Sequence, residues 1–188
     1  DAYLSVSQAL RHAGYALNSA VNIEWIDSET ISAENRDEIL GDLDGILVPG
    51  GFGARGIEGM ILSAEYAREN NVPYLGICLG MQVAVIEFAR HVLGWEDANS
   101  REFDEQSHHK VIDFMPGQSD TIDKGGTLRF GSWPCHIKSD TTMARCYGTQ
   151  IISERHRHRY EFNNDYLADM EGAGLVISGN SPDGALVE

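Results

Sequence analysis

Cys78 has the clearest capacity for covalent chemistry in this chain, because of what stands two positions to either side of it. Residues 72–82 read VPYLGICLGMQ. Residues 74–77 form a short apolar run after Pro73, and from Leu79 onward Val83, Val85, Ile86, Phe88, Ala89 and Val92 recur at helical spacing. Cys78 therefore falls where a strand turns into a helix. Gly76 and Gly80 flank it as G-x-C-x-G, the thiol form of a nucleophile elbow, in which small neighbours permit a strained turn that pushes the side chain outward. The positive end of the helix dipole beside such a thiol favours thiolate. The same residues also suit a buried structural cysteine, a common fate of cysteine in an apolar run.

A second glycine loop, residues 51–56, spells GFGARG between an apolar run at 45–48 and a helical pattern over 57–70. It matches the dinucleotide fingerprint G-x-G-x-x-G, which also needs an acidic residue about 20 positions later, at the end of the next strand. That strand ends on Cys78 instead, so the fingerprint is incomplete. An elbow nucleophile needs an oxyanion hole built from the N–H after it and another from a neighbouring loop. Leu79 supplies the first and the Gly50-Gly51-Phe52 turn is placed for the second. A tight turn without a ligand remains the alternative.

Other polar groups are less telling by themselves. If residues 151–162, IISERHRHRYEF, are extended, His156 and His158 share a face, which raises a metal site. The interleaved Arg155, Arg157 and Arg159 repel a cation, and the His108-His109 pair has no carboxylate or thiol at ligand spacing, so no metal is expected. Glu102 and Arg159, taken alone, read as solvated charges.

These residues need elements to hold them. Periodicity predicts a helix over 2–12 with Leu4 and Leu10 inward and Gly14 as its stop, and a strand over 21–27. It predicts a short helix over 33–40 capped by Ser32, a strand over 45–48, a helix over 57–70, a strand over 74–77, and a helix from Leu79 closed by Gly94. That alternation indicates an α/β fold, with a mainly parallel central sheet flanked by helices. Residues 95–105 read as loop. Short strands at 111–114, 127–130 and 136–138, with a Gly125-Gly126 turn, suggest a smaller antiparallel layer; a helix over 164–171 and strands at 175–178 and 185–187 follow.

Composition narrows the class further. The chain has 188 residues, a length that suits one domain, and 42% of them are hydrophobic. Fourteen Lys and Arg against 29 Asp and Glu leave a net charge of −15, which disfavours nucleic acid and anionic membranes as partners. Cys78, Cys135 and Cys146 are odd in number and lack a C-x-x-C pair, arguing for a reducing, cytoplasmic setting and against a disulfide framework or a cysteine zinc site.

With both glycine loops in view, the chain resembles the class I glutamine amidotransferases, and among them the glutaminase domains of the CTP synthase family. LVPGGFGARG, GMILSAEYARENNVPYLGICLGMQ and ERHRHRYEFNN carry the resemblance, and DAYLSV and GGTLR extend it over nearly the whole chain. The resemblance implies that Cys78 attacks the side-chain amide of L-glutamine and releases ammonia. The ammonia tunnels to an ATP-dependent synthetase domain of the same polypeptide, a ligase that aminates phosphorylated UTP. It implies ATP and Mg2+ in that synthetase domain, GTP as activator, no cofactor in this domain, and a homo-oligomer, a tetramer, for the parent enzyme. By the same likeness Gly51 and Leu79 are oxyanion donors, and Gly51, Leu79, Gly80, Met81, Gln82, Glu102 and Arg159 bind glutamine. Glu102 attracts the α-ammonium and Arg159 the carboxylate. The basic run and Arg55 fit a surface that meets the synthetase or GTP, although Ala54 stands where the family carries a bulkier residue.

One departure matters. The family takes its general base from a His-Pro-Glu near the C-terminus, and none of the seven histidines here stands in that context. A strand that leads into DAY in the family is also missing. The expectation is a single amidotransferase domain over 1–188, incomplete at both ends and without its synthetase domain, that hydrolyses glutamine poorly or not at all by itself. Three alternatives remain: the amidotransferase of another ligase, a non-catalytic docking module, and a cysteine hydrolase or peptidase that has no need of Glu102 and Arg159.

Overall fold

The computed structural model describes residues 3–115 and 129–188, and the chain divides into two compact units, Asp1–Met81 and Gln82–Glu188. The expected Gly125-Gly126 turn and the start of the expected 127–130 strand lie outside the described residues.

The first unit is built on a strand-helix-strand crossover. β1 (Ile46–Val48) and β2 (Tyr74–Gly76) pair in parallel, with Ile46 opposite Tyr74 and Val48 opposite Gly76. Parallel neighbours need a crossover, supplied here by the helix Ile57–Asn70. Its stripe of Ile57, Ile61, Ala64 and Ala67 is buried, and Asn71 at φ 55 ends it ahead of Pro73. A shorter helix, Arg36–Leu40, is tied to it by Arg36, which pairs with Glu65 and with Glu69 at 2.9 Å. In chain order these are α2 and α3, after α1 (Leu4–Ala16).

Four expectations fail in this unit. α1 runs through Gly14, where a Cβ would lie 2.7 Å from Ser19 O and from Val21 Cγ2, so the glycine permits the close approach of the segment after the helix and does not stop it. The helix buries Ser7 and Gly14, while Leu4 stays 57% exposed. Residues 21–27 join no strand ladder, and Trp25 is exposed with its ring 6.5 Å from that of Tyr3. Alternation creates two faces, but a strand also needs a hydrogen-bonded neighbour. Ser32 does not cap α2 through its side chain; Asn35 is the N-cap, and its side chain accepts from the Ser32 N–H at 2.8 Å.

The second unit holds most of α4 (Leu79–His91), whose Val83, Ile86 and Ala89 are fully buried. Two three-stranded sheets follow. β3 (Asn99–Ser100) pairs in parallel with β4 (Lys110–Phe114), which pairs antiparallel with β7 (Tyr160–Phe162). β5 (Arg129–Ile137) lies between β6 (Ile151–His158) and β8 (Gly179–Asn180), all antiparallel. The segment expected to be extended from 151 to 162 thus divides at Arg159 between two sheets. A helix α5 (Thr142–Tyr147), capped by Thr141, is an element that hydrophobic spacing did not reveal, whereas α6 (Leu167–Gly172) matches the reading. Residues 175–178 are not a strand, and closure near the chain end is a bridge between Asn180 and Val187. The architecture is the expected α/β class, with parallel pairing at β1–β2 and β3–β4 and an antiparallel layer at β6-β5-β8.

Candidate active site

The sharp turn at Cys78 is physical. Its φ is +56°, a left-handed conformation that costs a residue with a Cβ of the order of 1–3 kcal/mol, so the surrounding structure must impose it. The flanking glycines do so. A Cβ on Gly76 would lie 2.4 Å from the Gly80 carbonyl carbon, and one on Gly80 would lie 2.0 Å from Val48 O. Strand β2 and helix α4 therefore approach each other, and β1, more closely than any side chain allows. Backbone bonds pin the turn: Ile77 N donates to Val48 O at 2.9 Å, Gly80 N to Ile77 O at 3.0 Å and Met81 N to Cys78 O at 3.1 Å. The Tyr74 hydroxyl donates to Gly80 O at 2.8 Å. Cys78 itself is half-buried.

The loop after β1 lies against this turn. A Cβ on Gly50 would stand 3.4 Å from Cys78 Cβ and 4.0 Å from its Sγ, and one on Gly51 would touch Leu79 Cδ2 at 3.0 Å. Gly51 and Leu79 are thus neighbours at the nucleophile, and among the described residues their N–H groups have no backbone acceptor outside the regular elements. Phe52, next in the loop, is 91% exposed. Arg55 is engaged within its own unit, where its Nη2 donates to Glu29 Oε2 at 3.0 Å.

In the second unit, Gln82 and Arg159 come together. Gln82 is buried, and its Nε2 donates to Tyr160 O at 3.2 Å, holding the backbone next to Arg159. Arg159 occupies the bend between β6 and β7, where its carbonyl accepts from Met115 N at 3.2 Å. Its guanidinium carbon lies over the Phe114 ring, 4.9 Å from the centroid. Glu102 follows β3 in a turn pinned by the buried Ser100: Ser100 Oγ accepts from Glu102 N at 3.2 Å and Ser100 O from Asp104 N at 3.0 Å. Neighbouring Arg101 forks onto Asp113 and lies over the same Phe114 ring at 5.3 Å. Both Glu102 and Arg159 are half-buried, not the solvated charges that their types alone suggest. Phe114, Tyr160 and the Arg101–Asp113 pair were not legible in the sequence, since nothing in local spacing marks them.

Behind the bend lies a buried charge cluster. Arg129 pairs with Glu188 and, at 3.7 Å, with Glu161; His156 Nε2 is 3.4 Å from Glu188 and His158 Nδ1 is 3.2 Å from Glu161. The two histidines do share a face, and their rings meet through Nδ1 of His156 and Nε2 of His158 at 2.8 Å. His158 Nδ1 also lies 3.2 Å from Tyr160 O, which can only accept, so that nitrogen carries the hydrogen and His156 donates to His158. Burial pushes Glu161 up to about 8 against the opposing pull of Arg129, and burial together with His156 pushes His158 down to about 4. Arg155 and Arg157 point to the exposed side, away from these histidines. His109, which has no carboxylate at ligand spacing along the sequence, meets one across the fold: its Nδ1 lies 2.6 Å from Asp97, which also accepts from His108 N at 2.8 Å. Those bonds hold Asp97 down to about 2.

A strained cysteine between strand and helix, next to a glycine turn, defines a nucleophile elbow. The chain belongs to the class I glutamine amidotransferase family, whose model matches residues 1–188. It is 57% identical over 188 residues to the CTP synthases of Bacillus cereus (strain AH820) and Bacillus anthracis (strain A0248). Those matches cover 100% of this chain and 35% of each relative, so the chain spans about a third of their length. Among solved structures, the glutaminase domain of Trypanosoma brucei CTPS with bound acivicin superposes with a TM-score of 0.92 at 43% identity, over 100% of this chain and 74% of that one.

Proposed function

We propose that this chain is a single glutamine amidotransferase domain that hydrolyses L-glutamine as the glutaminase portion of a CTP synthase. The observation that carries the reading is Cys78 at φ +56°, fixed by two glycines that admit no side chain. The Cys78 sulfur attacks the side-chain amide carbon of glutamine, and the carbonyl oxygen becomes an oxyanion facing the Gly51 and Leu79 N–H groups. Collapse breaks the C–N bond, the nitrogen takes up a proton and leaves as ammonia, and a γ-glutamyl thioester remains. Water then cleaves the thioester to glutamate and regenerates the thiol. Gly80, Met81 and Gln82 line the start of α4, with Gln82 bracing the Arg159 bend; Glu102 meets the substrate's α-ammonium and Arg159 its carboxylate.

The wider reading rests on the likeness to CTP synthases. In it the ammonia passes to a synthetase domain of the same polypeptide that uses ATP and Mg2+ to aminate UTP, GTP activates the hydrolysis, and the whole enzyme is a cytoplasmic homo-oligomer. Among the described residues no helix is long and apolar enough to cross a membrane.

The test is selective alkylation. Acivicin, a glutamine analogue, should label Cys78 far faster than Cys135 or Cys146, read by peptide mass spectrometry. Cys135 is buried and its thiol is pushed up by burial and by Glu188, while Cys146 is exposed and serves as the reactivity control. Equal labelling of Cys78 and Cys146 defeats the proposal.

A further inference from the structure

We propose that Phe114 is a positioning residue for glutamine binding: its ring holds the Arg159 guanidinium, by a cation–π contact, in the orientation that meets the substrate's carboxylate. The inference rests on the proposed function above.

Arg159 sits at the bend where the chain leaves one sheet for another, so its backbone alone does not aim a long, rotamer-rich side chain. Phe114, Tyr160 and Gln82 stand in a chain that reaches it. Its guanidinium carbon lies 4.9 Å from the Phe114 centroid, within the range in which the negative face of a ring attracts a cation. Tyr160 stacks on Phe114, with centroids 5.1 Å apart and planes 20° apart, and so fixes the ring. Gln82 in turn holds the Tyr160 carbonyl at 3.2 Å. The strand register places Phe114 directly opposite Tyr160, and Met115 N donates to Arg159 O, so β4 is hydrogen-bonded to the bend.

Charge balance also favours the arrangement. Arg101 approaches the same ring at 5.3 Å, and two guanidiniums at one ring would repel each other if both were left unneutralised. Asp113 takes Arg101 in a two-pronged ion pair, and Asp113 Oδ1 also accepts from Phe114 N at 2.7 Å, which secures the ring's backbone.

The experiment uses the protein at its full natural length and replaces Phe114 by mono-, di- and trifluorophenylalanine, which keep the ring's shape while withdrawing electron density from its face. The expected result is a stepwise rise in KM for glutamine, about fivefold over the series, with kcat within about twofold of the parent, and no change in the rate at which iodoacetamide alkylates Cys78. Phe114→Tyr should retain the parent KM and Phe114→Leu should lose it to a similar extent as the trifluoro ring. Arg159→Ala is the companion variant. If it raises KM while fluorination leaves KM flat, the positioning role of Phe114 is overturned and Arg159 keeps its role in glutamine binding. If Arg159→Ala leaves KM unchanged, the reading of Arg159 beneath the proposal falls, and the proposal with it.

Discussion

At the scale of single residues, the site is a set of backbone constraints with one reactive side chain mounted on them. Cys78 holds a conformation that glycine adopts without cost, so Cys78→Gly should be more stable than Cys78→Ala by about 1 kcal/mol in urea unfolding, although neither can form a thioester. Equal stability of the two variants would show that the elbow stores no strain. Gly80 presents the opposite case. A Cβ there would meet Val48 O at 2.0 Å, so Gly80→Ala should cost about 3 kcal/mol or more, whereas Gly172→Ala, with open space around it, should fall within about 1 kcal/mol of the parent. The G-x-C-x-G spacing made both positions legible in the sequence, because steric demand at a tight turn is local. Phe114 was not legible, since an aromatic residue in a strand reads equally as core.

At the scale of elements, the bend between β6 and β7 joins two sheets and carries Arg159 on one side and the buried Arg129, His156, His158, Glu161, Glu188 cluster on the other. With Glu161 protonated, Arg129 is balanced by the single carboxylate of Glu188, so the cluster is close to neutral. Further acidic and thiol groups face it from β5 and β6: Glu154 and Cys135 are each pushed up by burial and then by the Glu188 charge. The consequence for pH follows from the signs. Glu161 is raised from 4.5 to about 8, so the folded state binds the extra proton, and its contribution is present below 4.5 and lost as pH rises to 8. His158 is lowered from 6.5 to about 4, so its contribution is present above 6.5 and lost as pH falls to 4. The two oppose each other between 4.5 and 6.5, and above 6.5 His158 no longer offsets Glu161. Stability should therefore decline from pH 6.5 to 8, and Glu161→Gln, a permanent mimic of the protonated acid, should flatten that decline. A parent curve already flat across this window would contradict the protonated state of Glu161. Alternation in IISERHRHRYEF foretold the shared histidine face, but the partners arrive from Arg129, Glu161 and Glu188, which only strand register brings opposite.

At the scale of the whole molecule, hydrolysis requires a group that takes the thiol proton and returns it to the leaving nitrogen. The family places this in a His-Pro-Glu run, and these 188 residues contain none. A polypeptide of these residues alone should turn over glutamine at least about a thousandfold more slowly than the same protein carrying that run, measured as glutamate release. Acivicin labelling of Cys78 should suffer less, because the elbow and the proposed substrate contacts lie within these residues. Comparable turnover by the two would mean that another base serves Cys78.

By itself, the sequence determined the α/β class, the crossover helix between β1 and β2, the elbow at Cys78 and the glycine loop beside it. All of these depend on local period or on a steric rule acting over a few residues. Tertiary structure alone decided that residues 21–27 join no sheet, that Arg159 rests on Phe114, and that two histidines close a buried ring of charge. Each of these depends on which distant backbone supplies a neighbour. A single residue's type carries no record of the partner it will meet across a sheet, so such contacts become definite only once register and bend are set.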